Sequence, residues 1–86
     1  MKKTITLNVN GKILRFDMTP EIYNKYINEL TANKKVAPTQ NMLMRAVHDE
    51  DKDTLKEFAA MPGAVFEIAA MLVEEYAPEL TVTVGE

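Results

Sequence analysis

The sequence predicts an α+β domain: an N-terminal β-hairpin and a C-terminal strand forming a small sheet, packed with about four α-helices. Asn10-Gly11 sits between two alternating apolar runs, which is the local chemistry of a tight hairpin. Between Thr19 and Ala77 the apolar residues recur at helical spacing, and Leu80-Thr81-Val82-Thr83-Val84 then returns to alternation. The chain has 86 residues, 47% of them apolar, which suits one core and one domain spanning 1–86.

The hairpin is specified in detail. Asn-Gly accepts the positive φ angles of a type I′ turn, and a two-residue loop sets Val9 opposite Lys12, Leu7 opposite Leu14 and Ile5 opposite Phe16. Ile5, Leu7, Val9, Leu14 and Phe16 then share one face, while Thr4, Thr6, Asn8, Arg15 and Asp17 share the other. Ile13 alone falls on the wrong side.

A first helix opens at Thr19-Pro20-Glu21. Thr19 can cap it, Pro20 fits the first helical position, and Glu21 complements the positive end of the dipole. Ile22, Tyr23, Tyr26, Ile27 and Leu30 form its apolar stripe, and Glu21 precedes Lys25 by the four residues that favour a surface pair. Pro38-Thr39 signals a second helix with Met42, Leu43, Ala46 and Val47 inside. The acidic run Asp49-Glu50-Asp51 suits the start of a third, whose apolar positions are Leu55, Phe58 and Ala59.

Pro62-Gly63 separates that helix from a fourth over 64–77. Val65, Ile68, Leu72 and Tyr76 make one apolar stripe on it, and Phe66, Ala69, Ala70 and Val73 make a second beside it. Only Glu67, Met71 and Glu74 look outward. A helix so apolar is either the central core element or in part an interface. The final strand is expected to join the hairpin's edge, because an isolated hairpin is marginal in water.

Net charge is −3, unevenly spread. Residues 1–48 hold eight basic and three acidic groups, a balance of +5; residues 49–86 hold two and ten, a balance of −8. The favoured reading is attraction between the halves, within the fold or between copies. Met1-Lys2-Lys3 begins like a secretory signal, but no unbroken apolar segment follows it, so export is not expected. The longest apolar stretch, Ala64 to Val73, is interrupted by Glu67 and reaches about half the length of a membrane span.

Catalysis needs a nucleophile with a base, paired acids or a metal. The chain has one histidine, His48, and neither cysteine nor serine. His48 reads as a solvated or capping residue beside Asp49. Asp49, Asp51 and Asp53 open like a calcium loop, but Thr54 stands where that loop needs glycine and Ala60 where it needs glutamate. Gly11, Gly63 and Gly85 are isolated, so no phosphate loop is present. The chain is read as non-enzymatic, with no cofactor and no metal. Its basic residues are scattered and its pI is near 5.1, which weighs against a nucleic-acid surface.

Methionine is the compositional oddity, with six in the chain. Met42 and Met61 are read as core filling. Met44 and Met71 lie off the main stripes and suit a surface that adapts to partners.

Taken whole, the sequence resembles the short tail assembly chaperones of tailed phages and prophages. The resemblance lies in Ile5-Thr6-Leu7-Asn8-Val9-Asn10-Gly11-Lys12, Tyr23-Asn24-Lys25-Tyr26, Lys35-Val36-Ala37-Pro38, Asn41-Met42-Leu43-Met44-Arg45 and Leu72-Val73-Glu74-Glu75-Tyr76-Ala77-Pro78. It implies a cytoplasmic protein of an infected or lysogenic bacterium. Such a protein binds the tape measure protein, keeps that long helical chain soluble, helps recruit tail tube subunits, and is absent from the finished virion. An apolar helical client calls for a helix-in-groove surface. Val65, Phe66, Met71 and Val73, with Met44, are the residues expected to supply it, and a homodimer is compatible with the charge split and the apolar fourth helix. Two alternatives stand beside this reading: a small DNA-binding or regulatory phage protein using the basic half, and a structural tail- or head-completion subunit.

Overall fold

The computed structural model describes residues 2–61, 63–77 and 84–85. Strands β1 (Lys3–Val9) and β2 (Lys12–Met18) pair antiparallel, with Leu7 opposite Leu14 and Ile5 opposite Phe16, in the register that the Asn-Gly turn predicts. Asn10 at φ 53° and Gly11 at φ 87° supply the left-handed turn that matches the strands' own twist. Ile5, Leu7, Leu14 and Phe16 are buried, and so is Met18, which extends the same face by one more step of two. Ile13 is exposed on the opposite face, because the pleat leaves it no other side.

Helix α1 (Pro20–Glu29) starts as expected: the Ile22 N–H donates to the Thr19 hydroxyl oxygen at 3.1 Å, and Pro20 fills the first turn. None of its residues is fully buried. Ile22, Tyr23 and Tyr26 lean on the core from outside, and the Tyr23 ring packs 5.6 Å from that of Tyr76. The expected Glu21–Lys25 pair is replaced by one between Lys25 and Glu29 at 3.7 Å. Glu29 also receives Arg45 at 3.3 Å, so cations from two helices converge on it.

Helix α2 (Val36–Ala46) begins two residues ahead of Pro38. Proline is tolerated there because first-turn N–H groups have no intrahelical acceptor. Thr39 is buried, and its hydroxyl donates to the Lys35 carbonyl at 2.6 Å. Met42, Leu43 and Ala46 point into the core. Val47 ends the helix in extended conformation and forms a lone antiparallel bridge with Phe16, while the His48 N–H donates to the Arg15 carbonyl at 2.8 Å. The outer edge of β2 is thereby occupied.

A 3-10 turn (Asp49–Asp51) leads into α3 (Lys52–Ala59), which buries Leu55 and Phe58. Gly63, at φ 79°, then redirects the chain into α4 (Ala64–Tyr76). Val65, Ile68, Ala69 and Leu72 of α4 complete a core shared with both strands, α2 and α3. Phe66 and Ala70, on the second apolar stripe, face solvent. The expected third strand over Leu80–Val84 lies outside the described residues except for Val84, and among the described residues the sheet is β1 and β2 alone. No described helix is long and apolar enough to cross a membrane.

Candidate protein-binding surfaces

Where α2, α3 and α4 meet, their packing leaves an open depression. Leu43 and Met44 come from α2, Leu55 from α3, Ala59 and Ala60 from the end of α3, and Val65 from α4. The paired alanines are the local cause, since larger side chains at those positions would fill the space. Gln40 and Lys56 are its polar members, so the lining is mainly apolar. Met44 is half-buried at this wall, free to change rotamer against an incoming side chain.

A second cleft runs between β1 and α4. Consecutive residues Thr6 to Asn10 line it, which means that the strand's edge, rather than either face, forms the wall. Opposite stand Met61, Ile68 and Met71, with Glu67 and Glu75 at the rim. Met61 is 48% exposed, which overturns its assignment to the core. Its N–H donates back to the Phe58 carbonyl at 2.9 Å, so it belongs to the turn after α3 and points away from the packed interior.

The five residues expected to bind a partner are therefore dispersed. Met44 and Val65 meet in the first depression, where Val65 is a buried wall and offers little free surface. Phe66 is 42% exposed on one flank of α4, and Met71 is 51% exposed on the other, in the second cleft. At 3.6 residues per turn the two side chains diverge by about 140° around the helix axis. Val73 is half-buried against the core. The sequence reading assigned the hairpin's edge to the final strand and did not single out the cleft between β1 and α4, which Thr6 and Asn8 line.

The charged residues are mostly occupied with one another. Arg15 donates to Asp51 three times: from its backbone N–H to Oδ2 at 3.0 Å, from Nε to Oδ2 at 2.9 Å and from Nη2 to Oδ1 at 3.1 Å. That guanidinium holds the Asp51 carboxyl below the usual carboxylate range and is itself raised by it. Asp51 is buried, so the last residue of the acidic run Asp49-Glu50-Asp51 is a partner of the sheet as well as the start of α3. The Thr4 hydroxyl donates to Asp17 at 2.6 Å and, with His48 beside it, lowers the Asp17 carboxyl too. His48 is neither free in solvent nor set against a nucleophile: its Nε2 lies 2.9 Å from Asp17 Oδ1, off the line that a hydrogen bond needs. Lys12 meets Glu57 at 3.2 Å and Arg15 meets Glu50 at 3.7 Å, so cations of the first half pair with acids of the second inside the fold.

A family model described as phage tail assembly chaperone matches residues 5–86. The chain is also 32% identical over 84 residues to an uncharacterized 11.3 kDa protein in the lys 3′ region of Haemophilus phage HP1 (strain HP1c1). That match covers 98% of this chain and 82% of the phage protein. No solved structure matches the chain.

Proposed function

The chain belongs to the phage tail assembly chaperone family, and on that premise we propose that it binds the tape measure protein, keeps it soluble and helps recruit tail tube subunits. It acts by protein binding in the bacterial cytoplasm and catalyses no reaction. The observation that carries this reading is the apolar depression between α2, α3 and α4, with half-buried Met44 at its wall. A long helical client exposes apolar side chains at intervals of three and four residues, and a groove between packed helices accepts such a ridge. Phe66, one position beyond Val65 on α4, extends the apolar contact beyond the depression. Lys56 at the rim offers a cation to the client's polar face.

The nucleic-acid alternative loses part of its basic surface to pairing inside the chain. Arg15, Lys12 and Arg45 each face a carboxylate of the same chain, which leaves them poorly placed to neutralise a row of phosphates.

Co-expression with the tape measure protein of the same genome, followed by size-exclusion chromatography, tests the reading. A tape measure protein that is soluble only with this chain, and co-elutes with it, supports it. Met44→Asp with Phe66→Asp should abolish co-elution while the far-UV circular dichroism stays unchanged. Complex formation should also change little between about 50 and 200 mM salt, where a binder using many phosphates loses orders of magnitude. A tape measure protein that stays insoluble beside a folded chain sinks the proposal, and retention of the chain in purified virions would favour a structural subunit.

A further inference from the structure

We infer that the edge of β1 that no other described residue pairs with is a self-association surface, on which a second copy of this chain pairs its own β1 antiparallel about Thr6. The inference stands apart from the client reading and rests on how the hairpin directs its backbone groups.

With a two-residue loop, Val9–Lys12, Leu7–Leu14 and Ile5–Phe16 are the pairs that exchange hydrogen bonds inside the hairpin. Thr4, Thr6 and Asn8 consequently turn their N–H and C=O groups away from β2, toward the cleft. The sheet's other edge is blocked, since Val47 bridges Phe16 and the His48 N–H takes the Arg15 carbonyl. Natural edges are guarded by proline, bulges or inward-pointing charge, and Thr4 to Asn8 carries none of these.

Charge and symmetry select a second copy as the occupant. An antiparallel pairing centred on Thr6 sets Thr4 opposite the partner's Asn8 and Lys3 opposite the partner's Val9. Glu67 lines the cleft together with Val9 and Asn10, at the hairpin-tip end of β1. Lys3 sits at the other end, where its Nζ donates to the Glu75 carbonyl at 2.6 Å. The two-fold operation therefore carries each Lys3 toward the other copy's Glu67, a pairing repeated on both sides of the axis. Among the described residues the cleft's lining holds two carboxylates and no cation, so it lacks what the partner's lysine brings. Met71 stands across the cleft from the strand, and the axis brings the two copies of it together, covering side chains that the single chain leaves half exposed.

Sedimentation of the full chain over a concentration series tests this. A dimer is expected, and Thr6→Pro should weaken it by about a hundredfold, the loss that follows when the central ladder bonds go. The outward N–H of Thr6 serves no bond within the hairpin, so proline there is compatible with a folded edge strand. Should that variant fail to fold, Thr6→Cys gives an independent reading. The chain has no cysteine of its own, and mild oxidation should trap a disulfide-linked dimer in high yield. Lys3→Glu and Glu67→Lys should each weaken association by about tenfold and restore it when combined. A monomer throughout the series, or a dimer indifferent to Thr6→Pro that resists the Thr6→Cys cross-link, overturns the inference. The monomer would leave the edge to the chain's own C-terminal run or to a client strand.

Discussion

Asp51 reaches Arg15 across 36 positions of sequence and takes three hydrogen bonds from it, one of them from the strand's own backbone N–H. This contact fastens the start of α3 to β2. Asp51→Ala should lower the thermal midpoint clearly, because it leaves a guanidinium and a backbone donor without their partner. Glu57→Ala, which removes an exposed partner of Lys12, should lower it by far less. Thermal melts of the two variants side by side check the order, and equal shifts would refute it.

The same contact sets the response to acid. The Asp51 carboxyl titrates below its unfolded value of about 3.9, so its stabilisation is complete above that value and is lost as pH falls through the lowered folded pKa. Asp17 acts with the same sign in the same window. Stability measured from pH 7 down to about pH 2 should therefore fall steeply below pH 4. Asp51→Asn should flatten that fall in part, and adding Asp17→Asn should flatten it further.

Neighbouring positions on α4 should behave as opposites. Leu72 is wholly buried and Met71 is half exposed. Leu72→Ala should destabilise by about 3 kcal/mol through lost burial and a residual cavity. Met71→Ala should stay within about 0.5 kcal/mol in the monomer. Urea titrations distinguish the two.

Gly63 tests backbone rather than packing. A Cβ there would meet nothing within 4 Å, yet φ is 79°, in the left-handed region. Gly63→Ala should therefore destabilise by about 1 kcal/mol through strain alone, and Gly63→Asn by less. An alanine variant as stable as the parent would show that α4 can start without that conformation.

Features decided by neighbours in sequence were readable from it. Asn10-Gly11 dictates the hairpin and its register, and Thr19-Pro20 dictates where α1 begins. Features decided by the meeting of distant segments were not. Nothing local distinguishes Asp51 from Asp49 or Asp53; only the approach of Arg15 buries one of the three. Pro38 read as a helix start because proline marks first turns, and it stands two positions deeper in the turn than the signal suggests. Four of the five residues singled out for binding are on α4, but they point in different directions around it: Val65 joins Met44 in the first depression, Met71 lines the second cleft, and Phe66 and Val73 line neither. Met18 was within reach, since it continues the spacing of Leu14 and Phe16 by two.

The bond from the His48 N–H to the Arg15 carbonyl has a use of its own. It joins the end of α2 to the hairpin, and it forms only when the stretch holding α1 and α2 has folded back onto the sheet. In deuterated solvent this amide should exchange at the pace with which that stretch lifts away. Exchange of this amide at the same pace as the inner amides of the hairpin would show that α2 and the sheet open as one unit. One resonance in an exchange spectrum would thus report the release of α2 from the sheet.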